Sequence, residues 1–472
     1  MTQLIDTQRA ASPGIGKARS RLSAACLVER HGRVVQMIGL VIESRGPMAA
    51  IGDICRIESS SDPAGVLAEV VGFRSENLLL MPLGELHGIY PGSLVVETGS
   101  RLRIPVGDQL QGRVVDGLGN PLDDLGPIPT LPLEELNLVT PHPLKRDRIR
   151  HQFQTGIKAI DTFVPCGRGQ RLGIFAGSGV GKSTLLGMMA SQAEAEVNVI
   201  ALVGELGREV REFLEKDLDA VGRAKSVVVV ATSNQPALVR VKAAFLSMTI
   251  AEYFRAKGKK VLLMMDSVTR FAMAQREIGL AVGEPPTSRG YTPSVFAMLP
   301  QLLERAGNDQ YGSITGLFTV LVEGDDMNDP IADATRSILD GHLVLTRELA
   351  SLNHYPAIDI LDSVSRLTRD LLNNEQLEIS GRAREMLAVY RKNQNLISIG
   401  AFVPGSNQAI DQAIRFQNPL MSFLRQPVTE TKTVADSWQQ LTRIFAAPPA
   451  PDPAPAAKPG SAPGAPNRTR PR

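Results

Sequence analysis

The run Leu172-Gly173-Ile174-Phe175-Ala176-Gly177-Ser178-Gly179-Val180-Gly181-Lys182-Ser183-Thr184 constrains this chain more than any other stretch, because it joins an apolar strand to a helix through a glycine-rich loop. Gly177, Gly179 and Gly181 allow the positive-φ turns that point successive N–H groups inward. A helix-forming run, Leu185 to Ala195, follows and adds the partial positive charge of its N-terminus. The segment from Gly177 through Ser178, Gly179, Val180, Gly181, Lys182 and Ser183 to Thr184 therefore reads as a nucleotide triphosphate site. Its N–H groups suit the α- and β-phosphates, Lys182 the β- and γ-phosphates, and the Ser183 hydroxyl a Mg²⁺ ion between them. Ala176 stands where the strict pattern has glycine, which is the relaxed form of the motif.

At 472 residues the chain is long enough for about two to four domains. Apolar residues make up 43% and charged residues 21%, so most of it is globular. Its 51 basic and 49 acidic side chains leave a formal charge of +2, which argues against a chain built mainly to bind nucleic acid. Cys26, Cys55 and Cys166 lie far apart with no paired metal spacing, so buried thiols in a reducing compartment are expected. The first residues lack an apolar signal core, and no stretch approaches the ~20 apolar residues that cross a bilayer. A soluble cytoplasmic protein is the expectation.

Residues 1–27 carry Arg9, Lys17, Arg19 and Arg21 around Pro13-Gly14, a pattern that fits either a short amphipathic segment able to contact acidic lipid or a flexible tail. Residues 28–106 turn to short β-rich runs such as Val34 to Ile42 and Leu78 to Met81, which predicts a small β-barrel. Strands at 171–176, 197–204, 226–231, 261–266 and 314–322, with helical patterns between the first four, predict a parallel sheet within an α/β domain over 107–365. Residues 366–445 read as helical, and the proline- and alanine-rich stretch 446–472 as disordered.

The apolar run Val261 to Met265 ends at Asp266, at the strand edge where α/β sheets bind ligands; Asp266 is the candidate to orient water on Mg²⁺. A second strand ends in Val203-Gly204-Glu205, and Glu205 is the candidate to position the attacking water, against the alternative of a solvated carboxylate in the turn from Gly204 to Glu212. Further on, Tyr355 could stack on a base and Arg366 could stabilise a phosphoryl transition state. By chemistry alone a buried tyrosine and a surface ion pair are the commoner roles for such residues.

Several blocks occur in a telling order. They are Gly169 through Thr184, Gly204-Glu205 with Gly207-Arg208-Glu209-Val210, Asp266 through Arg270, Gly283 through Tyr291, and Tyr355 through Arg366. Together they resemble the catalytic subunits of rotary-type ATPases. Within that superfamily the segment Ala176 to Ser183 is similar to the flagellum-specific ATPases of the flagellar type III export apparatus. The resemblance covers about residues 28 to 445.

The resemblance implies a β-barrel, a central RecA-like parallel-sheet domain with a phosphate loop, and a C-terminal helical domain. It implies a homohexamer that hydrolyses ATP with Mg²⁺ at each subunit boundary. Lys182, Ser183, Glu205 and Asp266 act from one subunit, Arg366 matches the finger arginine of the neighbour, and Tyr355 matches the residue on adenine. The implied partners are an export regulator, a central stalk protein facing the loop Asp325 to Pro330, and export substrates with their chaperones. The implied location is the cytoplasmic side of the inner membrane. The family shows arginine directly after the glutamate, and this chain has Leu206.

Other readings remain beside this one. A virulence-type secretion ATPase shares the chemistry, and a non-catalytic ring subunit would have no use for Glu205. An RNA-translocating hexamer expects base-stacking aromatics in the N-terminal domain, where residues 28–106 hold only Phe73 and Tyr90.

Overall fold

The computed structural model describes residues 30–446, apart from 130, 137–141, 143, 145, 323 and 325. The expectations for residues 1–27 and for the tail 446–472 fall outside the described residues, Ala446 excepted.

The N-terminal part is a closed six-stranded barrel of β1 (His31–Ile38), β2 (Val41–Arg45), β3 (Asp53–Ile57), β4 (Val66–Arg74), β5 (Asn77–Pro82) and β6 (Leu94–Arg101), ordered β1-β2-β5-β4-β3-β6. Alternation along these strands sends Val34, Ile42, Cys55, Ile57, Val70, Leu80 and Val95 inward. The β-rich run Val34 to Ile42 spans parts of two strands. Gly39 takes φ +59° and turns the chain between β1 and β2. Outward-facing Val41, Ile54, Leu79 and Met81 join the core of the next domain, and Lys242 holds Glu69 across that junction at 2.6 Å.

The central sheet has nine strands, ordered, apart from the two-residue pair Gly307–Asn308, as β14-β13-β8-β12-β11-β9-β10-β7. These are β7 (Val114–Asp116), β8 (Arg171–Ala176), β9 (Val197–Val203), β10 (Ser226–Ala231), β11 (Lys260–Asp266), β12 (Ser313–Leu321), β13 (Gly341–Leu345) and β14 (Ile358–Ser365). Strand β9 is buried at every position, and its alternate residues feed two cores: Val197, Val199, Ala201 and Val203 on one face, Ile200 and Leu202 on the other. A parallel sheet covered on both faces needs such continuous apolar strands. The five predicted strands run parallel, as expected, and an unpredicted strand adds an antiparallel edge. β14 runs antiparallel to β13, pairing Leu345 with Ile358 and Gly341 with Ser365.

Beyond the sheet the chain forms three long helices, α6 (Asn374–Ser398), α7 (Gln408–Leu424) and α8 (Val434–Ala446), preceded in the chain by α1 (Lys158–Phe163), α2 (Lys182–Gln192), α3 (Gly207–Glu212), α4 (Ala237–Ala256) and α5 (Val268–Val282). Asn373 starts α6 with a reciprocal capping pair to Gln376. Arg391 then fastens α6 to β14 through both oxygens of Asp359, each 2.6 Å away. Among the described residues no helix is long and apolar enough to cross a membrane.

Candidate active site

The register of the parallel strands aligns their C-terminal ends. Ala176 pairs with Leu321 and Leu345, and Leu202 with Asp266. The loop leaving β8, the turn leaving β9 and the end of β11 therefore meet at one edge, around a cavity of about 470 Å³. Its walls include Gly177, Ser178, Gly179, Gly181, Lys182, Ser183 and Thr184 from the loop, with Glu205 and Asp266 opposite. Val180 does not line it; its side chain is buried in the core beneath.

Gly179 (φ +78°) and Gly181 (φ +85°) take the left-handed conformations expected of them. Gly177 does not: the two later glycines make the turn from strand to helix. Gly181 caps α2 without any side-chain partner, and the first turn of α2 holds no acidic residue, so its N–H groups stay available to an anion.

Lys182 Nζ lies 2.5 Å from Asp266 Oδ1 and 3.8 Å from Glu205 Oε1. Thr319 on β12 fixes the carboxylate from the other side, its hydroxyl donating to the same Oδ1 at 2.7 Å. Burial pulls the Lys182 ammonium towards neutrality, but the Asp266 and Glu205 carboxylates outweigh it and the net direction is up. Glu205 is only 7% exposed and its Oε1 has no hydrogen-bond partner. Burial, reinforced by the charge of Asp266, pushes the Glu205 carboxyl up to about 7, while a hydrogen bond with it holds Glu209 below its ordinary value. One oxygen of this buried carboxyl is thus left without a hydrogen-bond partner at the cavity wall.

The turn expected from Gly204 to Glu212 is a sharp bend at Gly204 (φ +75°) followed by α3. A β-carbon on Gly204 would sit 2.7 Å from that of Arg270, so the bend and Arg270 are packed as one unit. Arg208, Glu209 and Arg270 also line the cavity, roles the sequence reading did not assign although all three sit in its quoted blocks. Leu206 precedes α3 and is 49% exposed, outside the cavity wall, whereas Arg208 is on it.

Tyr355 stands at the loop end of the sheet, its ring 3.3 Å from where a Gly181 β-carbon would be, and remains 42% exposed. Arg366 is elsewhere. Between them runs β14, eight residues long, which at about 3.3 Å per residue separates its ends by roughly 25 Å. Arg366 is exposed at the opposite edge, where its N–H donates to the Asp340 carbonyl at 3.0 Å and its Nη2 to the Arg336 carbonyl at 3.3 Å. The fold thus gathers the loop residues with Glu205 and Asp266 at the cavity and sets Tyr355 beside Gly181, while Val180 is buried beneath and Arg366 lies at the far end of β14, out of reach of the cavity of its own chain.

Among the described residues no cluster of three or more His, Cys, Asp or Glu could hold a metal by itself. Ser183 and Asp266, which both line the cavity, nonetheless fit Mg²⁺, which keeps several waters and takes one or two protein ligands beside phosphate oxygens.

Comparison with known proteins agrees with this geometry. Residues 156–365 match the nucleotide-binding domain of the ATP synthase alpha/beta family, residues 34–99 its beta-barrel domain, and residues 372–443 the C-terminal domain of the type III secretion ATPase EscN. The chain is 53% identical over 423 residues to the flagellum-specific ATP synthase of Bacillus subtilis, covering 88% of this chain and 95% of that protein. It is 46% identical to the type 3 secretion system ATPase of Xanthomonas euvesicatoria, covering 90% and 96%. The assembled EscN of enteropathogenic E. coli, solved in complex with its central stalk EscO, superposes with a TM-score of 0.81 at 45% identity, covering 88% of this chain and 99% of that one. The chain belongs to the ATP synthase alpha/beta family, in the branch that holds the flagellar and type III secretion ATPases.

Proposed function

We propose that this chain is a Mg²⁺-dependent ATP hydrolase of the flagellar type III export apparatus, working as a ring of six copies with each nucleotide at a boundary between neighbours. The observation that carries the reading is the separation of Tyr355 from Arg366 by the length of β14. The base end of the site and the finger arginine lie on opposite edges of one subunit, so a second copy must supply the guanidinium.

In this mechanism the loop N–H groups and the start of α2 hold the phosphates, and Lys182 turns from Asp266 onto the β- and γ-phosphates. Ser183 and Asp266 would hold Mg²⁺, which when bound would neutralise charge at the phosphate oxygens. Glu205 orients and polarises the attacking water. Arg366 of the partner subunit stabilises the charge that spreads over the γ-phosphate as it leaves. Tyr355 stacks on the adenine.

A central stalk is the proposed partner at the loop from Asp325 to Pro330, supported by the relative solved with its stalk. An export regulator, export substrates and their chaperones are the further proposed partners, at the cytoplasmic face of the inner membrane. Contact of the basic N-terminal segment with acidic lipid is tested by vesicle co-sedimentation of the full chain against one lacking residues 1–24. Similarity to a secretion-system ATPase supports the virulence-type reading as the alternative; the chemistry is shared and the neighbouring genes separate the two.

The test is phosphate release per chain measured with particle size across protein concentration. A rate that climbs as rings form is expected, and a constant rate from monomers would contradict the shared site.

A further inference from the structure

We infer that Gln426 is the positioning residue for the nucleotide base, clamping the Tyr355 segment to the phosphate-binding domain and to the chain that leads into the last helix. This rests on the reading of Tyr355 as the adenine-stacking residue.

Gln426 follows α7 by two positions and is only 3% exposed. Its backbone N–H donates to the Tyr355 carbonyl at 2.9 Å. Its side-chain Oε1 accepts from the Lys158 N–H at 2.8 Å, and its Nε2 donates to the carbonyls of Gly156 at 2.8 Å and Glu430 at 2.9 Å. A backbone N–H can only donate and a carbonyl only accept, so these partners fix which way the amide faces. The junction joins three parts of the chain otherwise far apart: the turn before α1, the residue on the phosphate loop, and the segment before α8.

Neighbouring contacts close the frame. Lys158 Nζ reaches Glu430 Oε2 at 3.2 Å and lies 5.6 Å from the centre of the Phe423 ring. The Val428 carbonyl accepts from Gln192 Nε2 at 3.0 Å, at the far end of the helix that begins with Lys182. Gln426 itself is absent from the cavity wall, so its effect passes through Tyr355 and not through the phosphates. A ring as exposed as that of Tyr355 can present a flat face to a base only if its backbone is held, and Gln426 holds the carbonyl of that residue.

The frame thus reaches from Tyr355 to the segment between α7 and α8.

The experiment is titration of the full chain with ATP and, separately, with inorganic tripolyphosphate, which carries the phosphates without the base. It is run on the wild type, Gln426→Leu, Gln426→Glu and Tyr355→Ala. Gln426→Glu keeps the size and the acceptor for Lys158 but sets an oxygen against the Gly156 and Glu430 carbonyls, so a melting curve on each variant accompanies the titrations as the check on folding. Both Gln426 variants keep the backbone bond to Tyr355 but lose the side-chain bonds that anchor it to Gly156 and Glu430, and are expected to lose about tenfold or more in ATP affinity, the scale of a buried hydrogen bond removed, with tripolyphosphate binding unchanged. KM for ATP should rise with little change in kcat. Loss of both ligands together, or of neither while Tyr355→Ala loses ATP, overturns the role of Gln426. A wild type that binds the two equally well removes the Tyr355 reading, and this inference with it.

Discussion

Lys182 Nζ and Asp266 Oδ1 are 2.5 Å apart, so the ammonium proposed to bind the triphosphate is paired with a carboxylate two strands away. The pair keeps a buried ammonium neutralised until a nucleotide takes it over. Replacing Lys182 with alanine removes charged hydrogen bonds to two phosphates, and ATP affinity should fall on the order of 10²-fold. Equilibrium titration with a fluorescent ATP analogue measures it, and unchanged affinity would contradict the assignment.

Glu205→Gln keeps the shape of the side chain but cannot polarise water. Nucleotide should bind about as well as to the wild type while kcat drops by roughly 10² to 10⁴, the range for a positioned acid or base. Phosphate-release rates at saturating ATP decide it; near-wild-type turnover would leave Glu205 with a structural role only.

The same carboxyl makes stability depend on pH. Its value in the folded chain is about 7 against an ordinary 4.5, so between those limits the native state keeps a proton that the unfolded chain releases. Stability from this site is therefore present at low pH and is lost as pH rises through the window. In the nucleotide-free protein, Glu205→Gln should gain on the order of 1 to 3 kcal/mol over the wild type at pH 8, with the difference shrinking towards pH 5. Melting curves at the two pH values test this, and a difference that grows on acidification would reverse the sign.

Much of this site can be read in the chain itself, because its parts sit at the ends of long apolar strands. Val261 to Met265 is a buried run, and the polar residue that ends it, Asp266, had to emerge at the ligand edge. Val197 to Val203 does the same for Glu205. The missed strands β7, β13 and β14 are short or of mixed pattern, β13 being five residues long. β7 is three residues long, and β14 mixes Asp359, Asp362, Ser363 and Ser365 with its apolar residues because it is an edge strand. Missing β14 meant that only the family resemblance, and no chemical pattern, could assign Arg366 to a neighbouring copy. Gln426 was illegible for another reason: its four partners lie at 156, 158, 355 and 430, and no local pattern marks a junction assembled from such distant pieces. Gly177 shows the opposite failure, where the motif suggested a positive φ that the turn does not use.

The composite boundary is tested most directly by mixing two inactive proteins. Arg366→Ala alone should assemble and bind ATP but turn over about 10³ to 10⁵ times more slowly, the range for a lost arginine finger. When rings of Glu205→Gln and Arg366→Ala are dissociated, mixed in equal amounts and reassembled, about a quarter of the boundaries pair an intact Glu205 with an intact Arg366 from the next copy. Phosphate release should then return to a comparable fraction of the wild-type rate. Verified mixed rings that stay as inactive as their parents would contradict a site shared between two copies of this chain.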